Sequence, residues 1–180
     1  MAKFYPNITK RVQQFREAQK LFFVATAPLE GRINLSPKGM DSFRVLNDKE
    51  VAWLSVTGSG NETAAHVLEN GRMTLMFCAF EGAPNIVRLY GKAKEIRPND
   101  AEWETLMSQF TELPGARQIF VLSIETAQTS CGMSIPYFEY LGEREQLNDW
   151  AKDKGEEGIK TYWEERNQTS IDGLPTNILE

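Results

Sequence analysis

A chain of 180 residues, 41% hydrophobic and 25% charged, can bury one sizeable core and has the balance of an ordinary water-soluble fold. Its net charge of −5 argues against nucleic acid as the main partner, and no stretch approaches the roughly 20 apolar residues that span a bilayer. One histidine and two distant cysteines, Cys78 and Cys131, cannot supply a zinc spacing, and the cysteines read as reduced structural thiols. The opening Met1-Ala2-Lys3-Phe4-Tyr5-Pro6 has no apolar signal core, which makes the cytoplasm the expected compartment.

In chain order, Ile8, Val12 and Phe15 at helical spacing predict a helix over Thr9–Gln19. Strand candidates come next at Leu21–Ala27, Arg32–Ser36, Ser42–Leu46, Val51–Val56, Arg72–Phe80 and Ile86–Ile96, with Asn47-Asp48-Lys49 marking a hairpin turn. A short helix, Asn61–Glu69, precedes Asn70-Gly71, where glycine suits a C-terminal cap. Pro98-Asn99-Asp100 opens a second helix to about Phe110, and Gln118–Thr126 reads as the last strand. The segment from Glu143 to Asn167 is charged and helical, with Leu147, Trp150, Ala151, Ile159, Tyr162 and Trp163 as its apolar positions. Six or seven strands at short spacing with single helices between them point to a mainly β, α+β fold: a closed or partly closed antiparallel barrel rather than a doubly wound sheet. There is no repeat, low-complexity segment or linker, so one domain with a helical C-terminal extension is expected.

Two segments carry candidate chemistry. Arg32-Ile-Asn-Leu-Ser-Pro-Lys-Gly39 comes after a strand and a turn, and Pro37 and Gly39 are expected to end its ladder. Ser36 and Lys38 would then present a donor and a positive charge suited to a phosphate-bearing cofactor. After Val51–Val56 comes Thr57-Gly-Ser-Gly-Asn-Glu-Thr63, leading into the short helix. Its glycines permit close backbone approach, the helix start offers free N–H groups, and Thr57, Ser59, Asn61 and Thr63 add side-chain donors. The same loop also fits a turn with Ser59 or Asn61 as helix N-cap. Without a Gly-Lys-Ser/Thr ending it is not a Walker loop.

The order of these features is similar to that of the pyridoxamine 5′-phosphate oxidase-like, FMN-binding split-barrel family. A strand ends in Leu-Ser-Pro-Lys-Gly, and after a hairpin another runs into a hydroxyl-rich loop and short helix. Asn70-Gly71-Arg72 opens the next, and Val87-Arg88-Leu89-Tyr90-Gly91-Lys92-Ala93 lies in the strand after it. The likeness covers roughly Leu21 to Ile96. The segments Ser130-Cys-Gly-Met-Ser-Ile-Pro136 and Ser170-Ile-Asp-Gly-Leu-Pro175 resemble a less characterised branch of those flavoproteins. The resemblance implies a homodimer of six- to seven-stranded split barrels with FMN in clefts at the interface. It divides the chain into an FMN-binding domain, 1–142, and a helical extension, 143–180, packed on the barrel or on the partner. It places Ile33 to Lys38, including Asn34 and Ser36, along the flavin and ribityl chain, and Val56 and Thr57 beside the flavin. Ile86 or Arg88 falls on the strand approaching the ring. The implied cofactor-binding set is Asn34, Ser36, Lys38, Thr57, Ser59, Asn61, Thr63 and Arg88.

The chain departs from the family pattern in two places. The Arg-Lys pair that opens the family's short helix and holds the phosphate is replaced here by Glu62 and Thr63. Either Lys38, Arg88 or Arg72 restores the charge, or Glu62 points away. The C-terminal Trp and Arg-Leu-His pattern of true pyridoxamine phosphate oxidases has no counterpart either. The implied function is an FMN-dependent oxidoreductase with an unidentified small-molecule substrate and NADH or NADPH as candidate electron donor. The alternatives are a flavin carrier or sensor without turnover, or a split barrel binding deazaflavin or haem. The lone His66, mid-helix, is assigned no role.

Overall fold

The computed structural model describes residues 2–180. Its elements are β1 (Lys3–Tyr5), α1 (Lys10–Glu17), β2 (Phe22–Thr26), β3 (Asn34–Lys38), β4 (Phe43–Val45), β5 (Glu50–Val56) and α2 (Glu62–Asn70). β6 (Arg72–Cys78), β7 (Asn85–Ile96), α3 (Trp103–Met107), β8 (Ala116–Cys131) and α4 (Gln146–Arg166) complete the chain. The strands form one antiparallel sheet in the order β3-β2-β6-β7-β8-β5-β4, with β1 added beside β8. It is a split barrel flanked by helices: β3 and the end of β5 face one cleft without pairing to each other.

Residue patterning explains the curl. In β2 the buried positions alternate, Phe22, Val24 and Thr26, as one core-facing side requires. β5 instead buries Val51, Ala52, Trp53 and Leu54 in succession, because both its faces are covered. Val51 and Trp53 join Phe22, Phe43, Phe77 and Phe120 inside the barrel, while Ala52 and Leu54 join Ile96, Phe110 and Ile119 in a second cluster. Phe43 meets Phe77 edge-on at 5.1 Å and Trp53 stacks on Phe120 at 4.8 Å, geometries worth about 0.5–1.5 kcal/mol each beyond burial. The β7–β8 register slips between Tyr90 and Gly91, and a Cβ on Gly91 would lie 1.9 Å from the Ser123 carbonyl oxygen. Only glycine fits that bulge, which bends the two longest strands.

Some boundaries differ from those expected of the sequence. β3 runs on through Pro37 to Lys38 rather than stopping at Ser36, and as an edge strand it tolerates a residue lacking an N–H. The helix expected from Pro98 shrinks to Trp103–Met107, because the Asp100 carboxylate accepts the Arg97 N–H at 2.7 Å and holds a turn there. β8 extends to Cys131, its polar second half being gripped by β7 on one side and by the unanticipated β1 on the other. α4 is interrupted at Gly155, whose φ of 62° and ψ of 176° leave the helical region. Cys78 and Cys131 are both free thiols, but only Cys78 is buried. Among the described residues no helix is long and apolar enough to cross a membrane.

Candidate functional site

The strand period of two puts Asn34, Ser36 and Lys38 on one side of β3, all three partly buried while Leu35 and Pro37 are exposed. They line a cleft of about 350 Å³ whose other walls include Trp53, Thr57, Ser59, Asn61, Thr63 and Arg117. Seven of the eight candidate residues therefore meet in one place. Arg88 does not: it lies on β7 in mid-sheet and donates to the Ser130 hydroxyl at 3.2 Å.

The seven divide by what their polar atoms do. The Asn34 amide donates to the hydroxyls of Thr26 at 3.3 Å and Thr63 at 3.2 Å. Thr57 donates to the Gly115 carbonyl and accepts from the Trp163 indole, both at 2.8 Å. These groups brace the cleft walls. Lys38, by contrast, forms no ion pair among the described residues, and its Nζ sits 5.2 Å from the centre of the Trp53 ring. Asn61 is 2% exposed, yet neither atom of its amide has a partner, and the buried Trp53 Nε1 is equally unmatched. Folded proteins pair nearly all buried polar groups, and three such orphan atoms gather at this one cleft, the others being scattered singly at His66, Gln118 and Asn148. Asn61 is also the residue before α2, where no side chain caps the helix start. The sequence alternative in which its side chain, or that of Ser59, serves as the cap is not what the structure adopts.

The electrostatics point the same way. Burial, reinforced by the nearby Arg117 charge, pulls Lys38 down to about 8. Burial also lowers Arg117, to about 10, so its guanidinium stays charged at neutral pH. Arg117 is held by neutral acceptors only: Asn167 Oδ1 at 2.9 Å, the Gly60 carbonyl at 2.9 Å and the Ser55 hydroxyl at 3.4 Å. The acid that most favours its charge is Glu95, but that carboxylate is tied to Arg97 at 3.0 Å and to the Gln118 amide. Two cations thus line one cleft with no carboxylate bonded to either, an arrangement that an anion would relieve. Sequence reasoning missed Arg117. Its one signal was a lone cation at the head of the apolar run Ile119–Leu122.

Glu62, which stands where the family carries a cation, is turned to the C-terminal tail, where both its oxygens accept the Ile171 N–H at 3.1 Å. The turn Ser170–Pro175 that presents this N–H is also anchored by the Asp172–Arg32 ion pair. Of the three cations considered as replacements, only Lys38 reaches the cleft; Arg72 is spent on the Pro28 carbonyl at 3.0 Å. His66 is 1% exposed, with Nδ1 3.0 Å from the Thr26 hydroxyl, and burial lowers its pKa. Its Nε2 is buried without a partner, and it lies outside the cleft lining. A larger groove of about 950 Å³ between α3 and α4, lined by Trp103, Met107 and Ile159, contains none of the buried unpartnered polar atoms.

Comparison with known proteins speaks to the family and the fold. The family model for pyridoxamine 5′-phosphate oxidase matches residues 8–131. The pyridoxamine 5′-phosphate oxidase family protein ustO of Aspergillus flavus is 36% identical over 97% of this chain and 78% of that protein. Among solved structures, a Lactobacillus delbrueckii protein named for pyridoxamine 5′-phosphate oxidase superposes with a TM-score of 0.56 at 21% identity, covering 68% of this chain and 94% of the other. HupZ of Group A Streptococcus gives 0.53 at 22% identity over 66% and 90%. These two likenesses speak to the fold alone. The matched span of residues 8–131 and the 36% identity over nearly the whole chain show that the chain belongs to the pyridoxamine 5′-phosphate oxidase family.

Proposed function

We propose that the cleft binds FMN and that the protein is an FMN-dependent oxidoreductase acting, as a homodimer, on a small molecule. The observation that carries this reading is the pair Lys38 and Arg117, two largely buried cations without a bonded carboxylate, beside the orphaned Asn61 amide. Charge-assisted bonds from both cations suit a terminal phosphate, and the α2 start adds backbone N–H groups. Trp53 Nε1 and the Ser36 and Ser59 hydroxyls supply further polar contacts to a ligand in the cleft. Bound FMN would supply the electron chemistry, and the protein groups would hold and orient it. The cleft volume of about 350 Å³ falls at the small end of the usual range for such ligands, consistent with a site completed by a second subunit.

A second reading, a flavin carrier or sensor, is favoured by one observation. The cleft lining includes no histidine, and its one carboxylate, Glu62, is bonded to the tail, so no free acid is at hand for proton transfer. Haem is disfavoured, because the only imidazole is sealed at His66. The test is the absorption spectrum of the purified protein, with identification of the released chromophore. FMN supports the proposal; a protein that takes up no flavin refutes it. Anaerobic addition of NADH or NADPH then separates the two readings: bleaching and reoxidation by a second substrate indicate an enzyme, an inert flavin a carrier.

A further inference from the structure

The tail residue Asn167 is fully buried and contacts the cofactor cleft only through other groups. Its Oδ1 accepts from Arg117 Nη1 at 2.9 Å, and its Nδ2 donates to the Gly58 carbonyl at 3.2 Å. Thr176, also fully buried, donates its hydroxyl to the Asn167 carbonyl and so locks the residue from behind. One amide therefore ties the guanidinium of β8 to the glycine loop ahead of α2. A buried arginine is ordinarily met by a carboxylate, which fixes it in place but also neutralises it. Here the geometry is fixed by a neutral amide, and the charge is left for whatever enters the cleft.

We infer that Asn167 is a positioning residue that aims Arg117 at the cofactor phosphate while leaving its charge uncompensated, and so sets the preference for FMN over riboflavin. This rests on the FMN reading of the cleft. Asn167 touches no ligand itself; it acts through Arg117. The C-terminal extension thereby has a definite task, because the strut comes from residue 167 and the charge it holds from residue 117.

The test measures FMN and riboflavin binding to the full-length protein freed of flavin, by quenching of flavin fluorescence. Asn167→Ala is expected to weaken FMN about tenfold, the effect of mis-aiming one charge-assisted bond, and to leave riboflavin within about twofold. Asn167→Asp keeps the size and the Arg117 contact but pairs the charge, and is expected to cost FMN at least as much, again sparing riboflavin. Should the alanine variant fail to fold, the aspartate variant supplies the same readout. Combining Asn167→Ala with Arg117→Ala should cost no more than Arg117→Ala alone. Equal weakening of both ligands, or full additivity of the two changes, would overturn the inference. A wild-type protein that binds riboflavin as tightly as FMN would instead overturn the phosphate reading beneath it.

Discussion

Lys38 is the residue on which affinity and stability pull in opposite directions. Burial and the Arg117 charge lower its pKa from an ordinary 10.5 to about 8 in the folded, flavin-free chain. Between those values the unfolded chain holds a proton that the folded one has released, so stability rises with pH across this window. Below about pH 8 the cost of the buried charge is fully present. FMN affinity should run the other way, falling as pH rises past about 8, because only the protonated amine assists the phosphate. Denaturant titrations and FMN titrations on either side of that pH check both slopes, and Lys38→Met should abolish both. Lys38→Ala should weaken FMN by about 1–3 kcal/mol, while His66→Ala costs stability through its lost packing but leaves affinity nearly unchanged. Asn61 offers a sharper case. Its buried amide is unpaired and caps nothing, so Asn61→Ala should raise the melting temperature of the flavin-free protein while lowering FMN affinity. A variant both less stable and fully competent to bind would show that the amide has a structural role instead. At this scale the sequence is legible wherever neighbours in the chain are neighbours in space: Ser36 and Lys38 on one strand face, Ser59 and Asn61 on one loop. Arg117 and Asn167 are not: Arg117 reaches the cleft from β8 and Asn167 stands behind it at the end of α4, both far along the chain.

The elements that sequence patterning does not reveal are those whose existence depends on a partner. β1 is three residues long and has no reason to be extended except the open edge of β8 beside it. The second half of β8, Gln128-Thr129-Ser130, lacks the apolar alternation of a strand and is one because β7 and β1 bracket it. α4 is legible in extent but not in shape. Gly155 breaks it, and the second half then brings Ile159 into a buried position and Trp163 to Thr57. At φ 62° and ψ 176° any side chain is strained, and no atom surrounds the site to offer compensating contacts. Gly155→Ala should therefore cost about 1–3 kcal/mol in chemical denaturation. It should also loosen FMN more than riboflavin, since the segment beyond the break carries Asn167. A neutral or stabilising result would mean that the helix can run straight through residue 155 and that the break serves nothing.

For the whole molecule the governing question is what covers the barrel's edge. β3 pairs only with β2 and turns Leu35 outward at 64% exposure, beside Ile33 at 76%. From Lys38 the surface continues into a groove of about 670 Å³ lined by Pro37–Met40 and by Tyr140, Gly142–Arg144, Gln146 and Leu147. Nearby in sequence, Tyr137 and Leu141 are 81% and 89% exposed. By its sequence, the whole aromatic stretch from Tyr137 to Trp163 is a candidate for the cover. The structure divides that stretch: Ala151 and Ile159 are buried within their own chain, Trp150 packs on Tyr162 at 5.1 Å and Phe138 packs on Phe80 at 5.3 Å, while Tyr137 and Leu141 stay exposed. An unpaired strand edge next to exposed apolar residues is a surface that a symmetric second copy would cover at once. The same contact would deepen a cleft whose own walls enclose only about 350 Å³. Light scattering should return the mass of two chains. Leu35→Asp should shift that mass towards one chain and lower flavin occupancy in parallel, although residue 35 faces away from the cleft in its own subunit. A single-chain mass in the unmodified protein with its flavin fully retained would show that each cleft is complete by itself, and the two-subunit site would fall.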